Sequence, residues 1–280
     1  MYNIPKKALE RLSKGIARFQ KILSTAKSRD VNESDTVSII NDILADVFGY
    51  DKYTEVTSEL AIRGTYCDLA IKLNDKMHFL IECKAIGLEL KEHYVKQAID
   101  YGANKGIPWV ILTNGIAWNI YKIKFEQPIS SDLVFNFRFD EISAKNEKNL
   151  DLLYLLSKEG LEKNIREEYF EKIQCVNKYI IGNLLLNETV MNYIRKEIKR
   201  LIPAVKIDNN EIREVIEKDV IKREILDNDE SNTAQEKIKK LYKKLDRISK
   251  KKDADSQDIK EKEVTLEVNS IQETIPKTEL

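Results

Sequence analysis

The chain predicts an α/β fold: a mixed β-sheet with helices on both sides, followed by an α-helical C-terminal region. Three observations predict it. Apolar residues recur at steps of three and four before residue 50 and again after about residue 143. Between those stretches the texture shortens into strand-like runs separated by turn signals. One of these runs, Pro108 to Thr113 (PWVILT), is nearly all apolar, as in a strand buried on both faces.

Taken in order, residues 5–27 read as a helix with Leu9, Leu12, Ile16, Phe19 and Leu23 in one stripe. Ser28-Arg29-Asp30 breaks it. Asn32 is placed to N-cap a second helix that buries Thr36, Ile40, Ile43, Leu44 and Val47, and Gly49 stands where a left-handed C-cap belongs. Glu55 to Ile62, Tyr66 to Leu73 and Met77 to Lys84 read as three strands, the last two joined by a turn at Asn74-Asp75-Lys76. A helix follows from about Lys91 to Ala103. Asn114-Gly115 is a turn signal, and Ala117 to Ile123 returns as a strand. The mixed domain is expected to end near residue 130. Beyond residue 143 only helix patterns appear: one through Leu150, Leu153, Leu156 and Leu161, one over Tyr169 to Leu186, one over Val190 to Ile202 stopped by Pro203, and one over Ile212 to Ile225. Residues 227–234 read as a polar linker. Ile238, Leu241, Leu245 and Ile248 then space like a short coiled-coil seam in a lysine-rich stretch, and the last ~28 residues read as a charged, flexible tail.

Length and composition bound the function. A chain of 280 residues holds one substantial domain and a smaller one. The expected division is 1–130, a domain of mixed sheet and N-terminal helix; 131–226, a helical region for oligomerisation or recognition; and 227–280, a charged helical tail. Hydrophobic residues are 42%, enough for a core, while 34% charged points to solvated helix as well. Lys+Arg and Asp+Glu are both 47, so bulk charge does not argue for nucleic acid, and any basic surface must be local. Cys67, Cys83 and Cys175 lack a CxxC spacing and read as reduced thiols. With only His78 and His93, a histidine-rich zinc site is not expected. No signal peptide and no apolar stretch of membrane-spanning length is apparent, so a soluble cytoplasmic protein is expected. The absence of a GxxxxGK[ST] loop leaves no nucleotide-driven motor in this sequence.

The segment with chemistry in it is Cys67-Asp68-Leu69-Ala70, the hairpin turn, then Ile81-Glu82-Cys83-Lys84. If Asn74 to Lys76 form a three-residue loop, Leu73 faces Met77 and, counting back, Asp68 faces Glu82. Directly opposed residues share a face, and so do Glu82 and Lys84, two apart on one strand. Two carboxylates that close repel unless a cation lies between them. Mg²⁺ suits such a pair, with waters and phosphate oxygens completing its shell, and Mn²⁺ is the alternative. A lysine beside the ion can position an attacking water and stabilise the charge developing on phosphorus. The plain alternative is a half-exposed hairpin whose polar face carries charges, with Lys84 relieving the Asp–Glu repulsion.

The run D-L-A-I…F-L-I-E-C-K-A-I-G resembles the PD-(D/E)xK nuclease domain at the N-terminus of type I restriction enzyme R subunits and in predicted type IV restriction endonucleases. Gln97-Ala-Ile-Asp-Tyr101 resembles that family's Q-x-x-x-Y motif. Trp109 to Thr113, then Asn114-Gly115-x-x-Trp118, resembles its L-T-N-G segment followed by an aromatic. Glu33, in N-E-x-x-T, matches its upstream acidic position. Cys67 replaces the proline of the leading dipeptide. The likeness spans roughly residues 30–125.

That resemblance implies a restriction-endonuclease-like fold and a Mg²⁺-dependent DNA endonuclease of restriction or phage defence, with RNA left open as substrate. It implies Asp68, Glu82 and Lys84 as the catalytic core, Asp68, Glu82 and Glu33 around the metal, and Gln97 and Tyr101 as supporting residues. Gln97, Tyr101 and Lys96 on one helix are the expected nucleic-acid contacts, and a homo-oligomer, simplest as a dimer, is the expected assembly. The alternative is a non-catalytic nucleic-acid-binding or assembly subunit that keeps the fold. Individual residues also have plainer explanations. An acid at the position of Glu33 is favoured by the helix dipole. Gln97 and Tyr101 can cap a helix–sheet interface, Glu59 is an alternative acid, and Lys237 to Lys252 can be a solvated face or a DNA-contacting arm. Thr113-Asn114-Gly115 reads as a structural turn, and Cys83 as a small buried residue with no histidine to activate it.

Overall fold

The computed structural model describes residues 2–62, 65–245 and 247, with the side chains of 59–62, 65, 66 and 92 left out of account. These residues form two compact units, divided between Glu171 and Lys172.

The first unit is built on a six-stranded sheet in the order β1-β2-β3-β4-β5-β6. The strands are β1 (Val56–Ile62), β2 (Thr65–Leu73), β3 (Lys76–Cys83), β4 (Trp109–Thr113), β5 (Ala117–Lys124) and β6 (Ser130–Arg138). Neighbours are antiparallel except β3 and β4, which run parallel, so the sheet is mixed. The parallel pair needs a crossover, and helix α3 (Glu92–Lys105) supplies it. α3 lays Ala98 and Tyr101 on the face carrying Ala70, Leu80, Val110 and Ile123. On the opposite face, Phe48 meets Trp118 edge-on, and Trp109 meets Phe170 in the same way. Helices α1 (Lys6–Ser28) and α2 (Glu33–Asp46) precede the sheet; α4 (Glu147–Leu156), α5 (Lys158–Glu162) and α6 (Ile165–Cys175) follow it.

The N-terminal helices form where the periodicity places them. Ala8, Leu12, Ile16, Phe19, Leu23 and Ala26 are the buried stripe of α1. The Asn32 side chain accepts from the Asp35 amide and caps α2. Gly49 takes a φ of 86°, and a Cβ there would strike the Arg11 guanidinium.

Several expectations need correction. The hairpin turn holds two residues rather than three: Asn74 and Asp75 both have positive φ, and Leu73 pairs with Lys76. A bulge then takes up one residue of β3, His78, opposite the step from Ile71 to Lys72, so Leu69 still faces Ile81. The sheet continues past residue 130 into β6, whose alternating Phe135 and Phe137 are buried while Leu133 is exposed, as on an edge strand. The leucine pattern over 150–161 is two helices, because Ser157 stops α4 and caps α5. Asn177 likewise ends one helix and caps the next, so Tyr169 to Leu186 is also two helices.

The second unit is helical. It contains α7 (Lys178–Leu185), α8 (Glu188–Leu201), α9 (Asn209–Val215), a π-helical turn over Ile216–Val220 and α10 (Arg223–Leu226). The expected linker 227–234 is helical from residue 229, in α11 over residues 229–245. Its Ala234 and Ile238 are buried against Ile180. Leu241 and Leu245 of the expected seam are exposed, while Ile248, the rest of the lysine-rich run and the C-terminal tail lie outside the described residues. Among the described residues, no helix is long and apolar enough to cross a membrane.

Candidate active site

β3 carries Glu82 at its end, and Lys84 follows one residue beyond the strand. The Lys84 amide donates to the Thr113 carbonyl of β4, so the parallel pairing sets where the lysine leaves the sheet. The loop after it is clamped twice. The Ile86 amide donates to Thr36 Oγ1 of α2, and Asn114 Nδ2 donates to the Leu88 carbonyl at 2.8 Å. Thr113-Asn114-Gly115 therefore does more than turn the chain between β4 and β5. Asn114 Oδ1 accepts the Ile116 and Ala117 amides, and Gly115 adopts a φ of 82°.

Within this frame Lys84 Nζ bonds Glu82 Oε1 at 2.7 Å and lies 3.8 Å from Glu33 Oε2. Tyr94 of α3 holds its ring 5.6 Å from the same ammonium. Glu82 is only 3% exposed, and its Oε2 is buried with no hydrogen-bond partner. Burial pushes its carboxyl above the ordinary carboxylate range; the Lys84 bond pulls it down, while Asp68 and Glu33 push it up. Burial draws the Lys84 ammonium down, but the bond to Glu82 and the nearby acids outweigh that and leave it above the usual lysine value. Strand pairing of β2 with β3 runs as far as Leu69 and Ile81, one step before Asp68 and Glu82. Asp68 takes over the next bond with its side chain: Oδ2 accepts the Cys83 amide at 2.7 Å.

The structure thus gathers Glu82, Lys84 and Glu33 by contact, with Asp68 bonded one residue away and close enough to act on both Glu82 and Lys84 electrostatically. Glu33 opens α2, its side chain about half exposed. Gln97, Tyr101 and Lys96 sit on α3. Gln97 Nε2 donates to the Tyr101 hydroxyl at 2.5 Å, Tyr101 is buried against the sheet, and Gln97 and Lys96 are exposed. Tyr94 was missed in the sequence, although it lies three residues before Gln97 and seven before Tyr101, on the same helix face. Glu59 falls among the side chains left out of account. His78 occupies the bulged stretch of β3, and burial holds its imidazole below the usual value. Burial pushes the Cys67 thiol to about 12 and the Cys83 thiol well up, so neither is a ready nucleophile.

A buried carboxylate oxygen with no donor, next to a second carboxylate, is a donor set that suits a hard divalent cation. Among the described residues no group of three or more His, Cys, Asp or Glu is gathered to hold a metal, so the fit is to a two-carboxylate site completed by other oxygens.

Residues 39–134 match the family model of the type I restriction enzyme R protein N terminus. The match covers the sheet from β1 into β6, together with Asp68, Glu82, Lys84, Gln97 and Tyr101, and leaves Glu33 just outside it. No curated protein and no solved structure matches the chain.

Proposed function

We propose that the chain is a divalent-metal-dependent nuclease that hydrolyses DNA phosphodiester bonds in a restriction or phage-defence setting in the cytoplasm. The observation that carries the reading is the buried, unpartnered Glu82 Oε2 beside Asp68 with Lys84 against the other oxygen. The family match supports the restriction context.

In this reading Asp68 and Glu82 hold Mg²⁺, or Mn²⁺ in its place, with Glu33 assisting from the start of α2. The ion when bound supplies Lewis-acid polarisation and neutralises charge at the phosphoryl group. The remaining work falls to the chain. Lys84, kept cationic by its acidic neighbours, positions the attacking water and offers positive charge to the phosphorane oxygens. Tyr94 limits the room in which the ammonium swings. Thr36 and Asn114 hold the exit loop so that Lys84 stays aimed at the site. Gln97 and Tyr101 support the site from α3 or contact the backbone, and Lys96 contacts a phosphate.

Wild type is expected to cut duplex DNA with Mg²⁺ or Mn²⁺, and Lys84→Ala to cut at least ~100-fold more slowly while melting at a similar temperature. Equal cutting by Lys84→Ala, or no cutting of DNA or RNA by wild type with either metal, rejects the enzyme reading. A second reading, a nucleic-acid-binding or assembly subunit that kept the fold, is favoured by one observation: among the described residues no group of three or more His, Cys, Asp or Glu is gathered to hold a metal. Binding without cleavage selects it. A homo-oligomer, simplest as a dimer, is part of the proposal, and light scattering tests it.

A further inference from the structure

A chain of zero net charge need not be neutral everywhere. α1 holds seven basic residues, Lys6, Lys7, Arg11, Lys14, Arg18, Lys21 and Lys27, against one acid, Glu10. Two of the seven are engaged. Arg11 turns inward to Glu159 and to the Val47 and Phe48 carbonyls, and Arg18 pairs with Asp46. The five lysines are exposed and, among the described residues, none has an ion-pair partner. Other cations of the same unit are paired, among them Lys52 with Asp42, Lys122 with Glu167 and Lys158 with Glu55, while Lys76, Lys91, Lys96 and Lys105 have no ion-pair partner among the described residues. What sets α1 apart is five unpaired lysines on a single helix.

It is also ordered. Lys7, Lys14 and Lys21 are seven residues apart, and seven residues come within ~20° of two whole turns, so the three ammonium groups lie in one stripe roughly 10 Å apart. That stripe faces away from the buried Leu12, Phe19 and Leu23. At the C-terminal end of α1, Lys21 and exposed Arg29 line a cleft of about 510 Å³ shared with Val31 and Asp35 of the α2 entry. The turn that closes the cleft reaches the site. Asp30 sits against Gly87, where a Cβ would come within 2.3 Å of Asp30 Oδ1, and Gly87 lies in the loop just after Lys84. The same α2 begins with Glu33, 3.8 Å from Lys84.

We infer that the stripe Lys7, Lys14, Lys21 with Arg29 is a docking track for the sugar-phosphate backbone of duplex DNA, and leads the duplex toward the Lys84 site. This rests on the nuclease reading for its substrate. Each phosphate neutralised by a lysine releases condensed counterions, so affinity along the track falls steeply with salt. The partner is named by charge complementarity: a regular polyanion matches a regular row of cations that form no ion pair with an acid among the described residues.

The full chain tests it. Binding of a labelled duplex is followed by fluorescence anisotropy from 50 to 300 mM salt, without added divalent metal, for wild type, for K7E/K14E/K21E and for K239E/K240E/K243E on α11. Melting curves check that each variant is folded. The track predicts that K7E/K14E/K21E weakens binding at least ~10-fold and removes about 2.7 from the slope of log affinity against log salt, at 0.9 per phosphate contact. The α11 variant keeps the wild-type slope. An unchanged slope in K7E/K14E/K21E, or a slope lost only in the α11 variant, overturns the track whether or not wild type cuts. Loss of binding to phosphatidylserine vesicles, with duplex binding intact, overturns it in favour of an acidic membrane surface. A slope lost in K7E/K14E/K21E in a protein that cuts nothing leaves the track standing and removes the nuclease reading alone. A wild type that binds no duplex removes both.

Discussion

At Thr36 Oγ1, a single atom joins α2 to the loop that carries Lys84 away from the sheet. It donates to the Asn32 carbonyl within its own helix and accepts the Ile86 amide across fifty residues of sequence. Thr36→Val keeps the shape and removes the acceptor, leaving a buried amide unsatisfied at a cost of ~1–3 kcal/mol. The melting temperature is expected to drop accordingly, and cleavage to fall with it as Lys84 loses its aim. A variant as stable and as active as wild type would show that the bond positions nothing. The sequence already placed Thr36 on the buried face of α2, because periodicity reports burial. It did not reveal the Ile86 bond, since a hydroxyl's partner depends on which loop the fold brings to it. Tyr94 shows the same limit: its helix face was legible, and its nearness to Lys84 was not. Glu82 and Lys84 were legible as a pair because strand alternation puts residues two apart on one face.

The β2–β3 hairpin shows how an element can be placed rightly through two compensating details. A three-residue turn was expected, a two-residue turn is present, and a bulge makes up the difference. Turn length follows from backbone dihedrals at Asn74 and Asp75, while the bulge answers to packing of both faces, which residue types state weakly. β6 was missed for a related reason: an edge strand has one neighbour, and its polar residues blur the alternation. Among helices, the clasp between α1 and α5 makes a pH prediction. Arg11 holds Glu159 through two bonds of 2.8 and 2.6 Å. The Arg11 bond, opposed by burial, keeps the Glu159 carboxyl below its ordinary 4.5. A depressed carboxyl contributes stability above its unfolded value and loses it as pH falls through the folded one. Wild type should therefore melt above Glu159→Gln at neutral pH, and the gap should close below about pH 4.5. A gap that stays constant from pH 7 to 3 would assign the difference to packing.

Among the described residues, every strand and every candidate site residue falls within 1–171, while α7 to α11 build a second unit with its own clusters around Met191 and Ile180. A fragment of residues 1–176, which keeps α6 complete, is expected to melt cooperatively and to cut DNA. A fragment that is unfolded in solution refutes the independence of the first unit, and a folded fragment without cleavage assigns the second unit a part in the reaction. The sequence by itself determined the mixed α/β class, the helical C-terminal region and the pairing of Glu82 with Lys84, because periodicity and alternation are local and survive without neighbours. Tertiary structure decided the rest. Which loop Thr36 and Asn114 hold, which oxygen of Glu82 is left unpartnered, and which lysines of a neutral chain stay unpaired all depend on residues far apart in sequence, brought together only when the sheet and its helices pack.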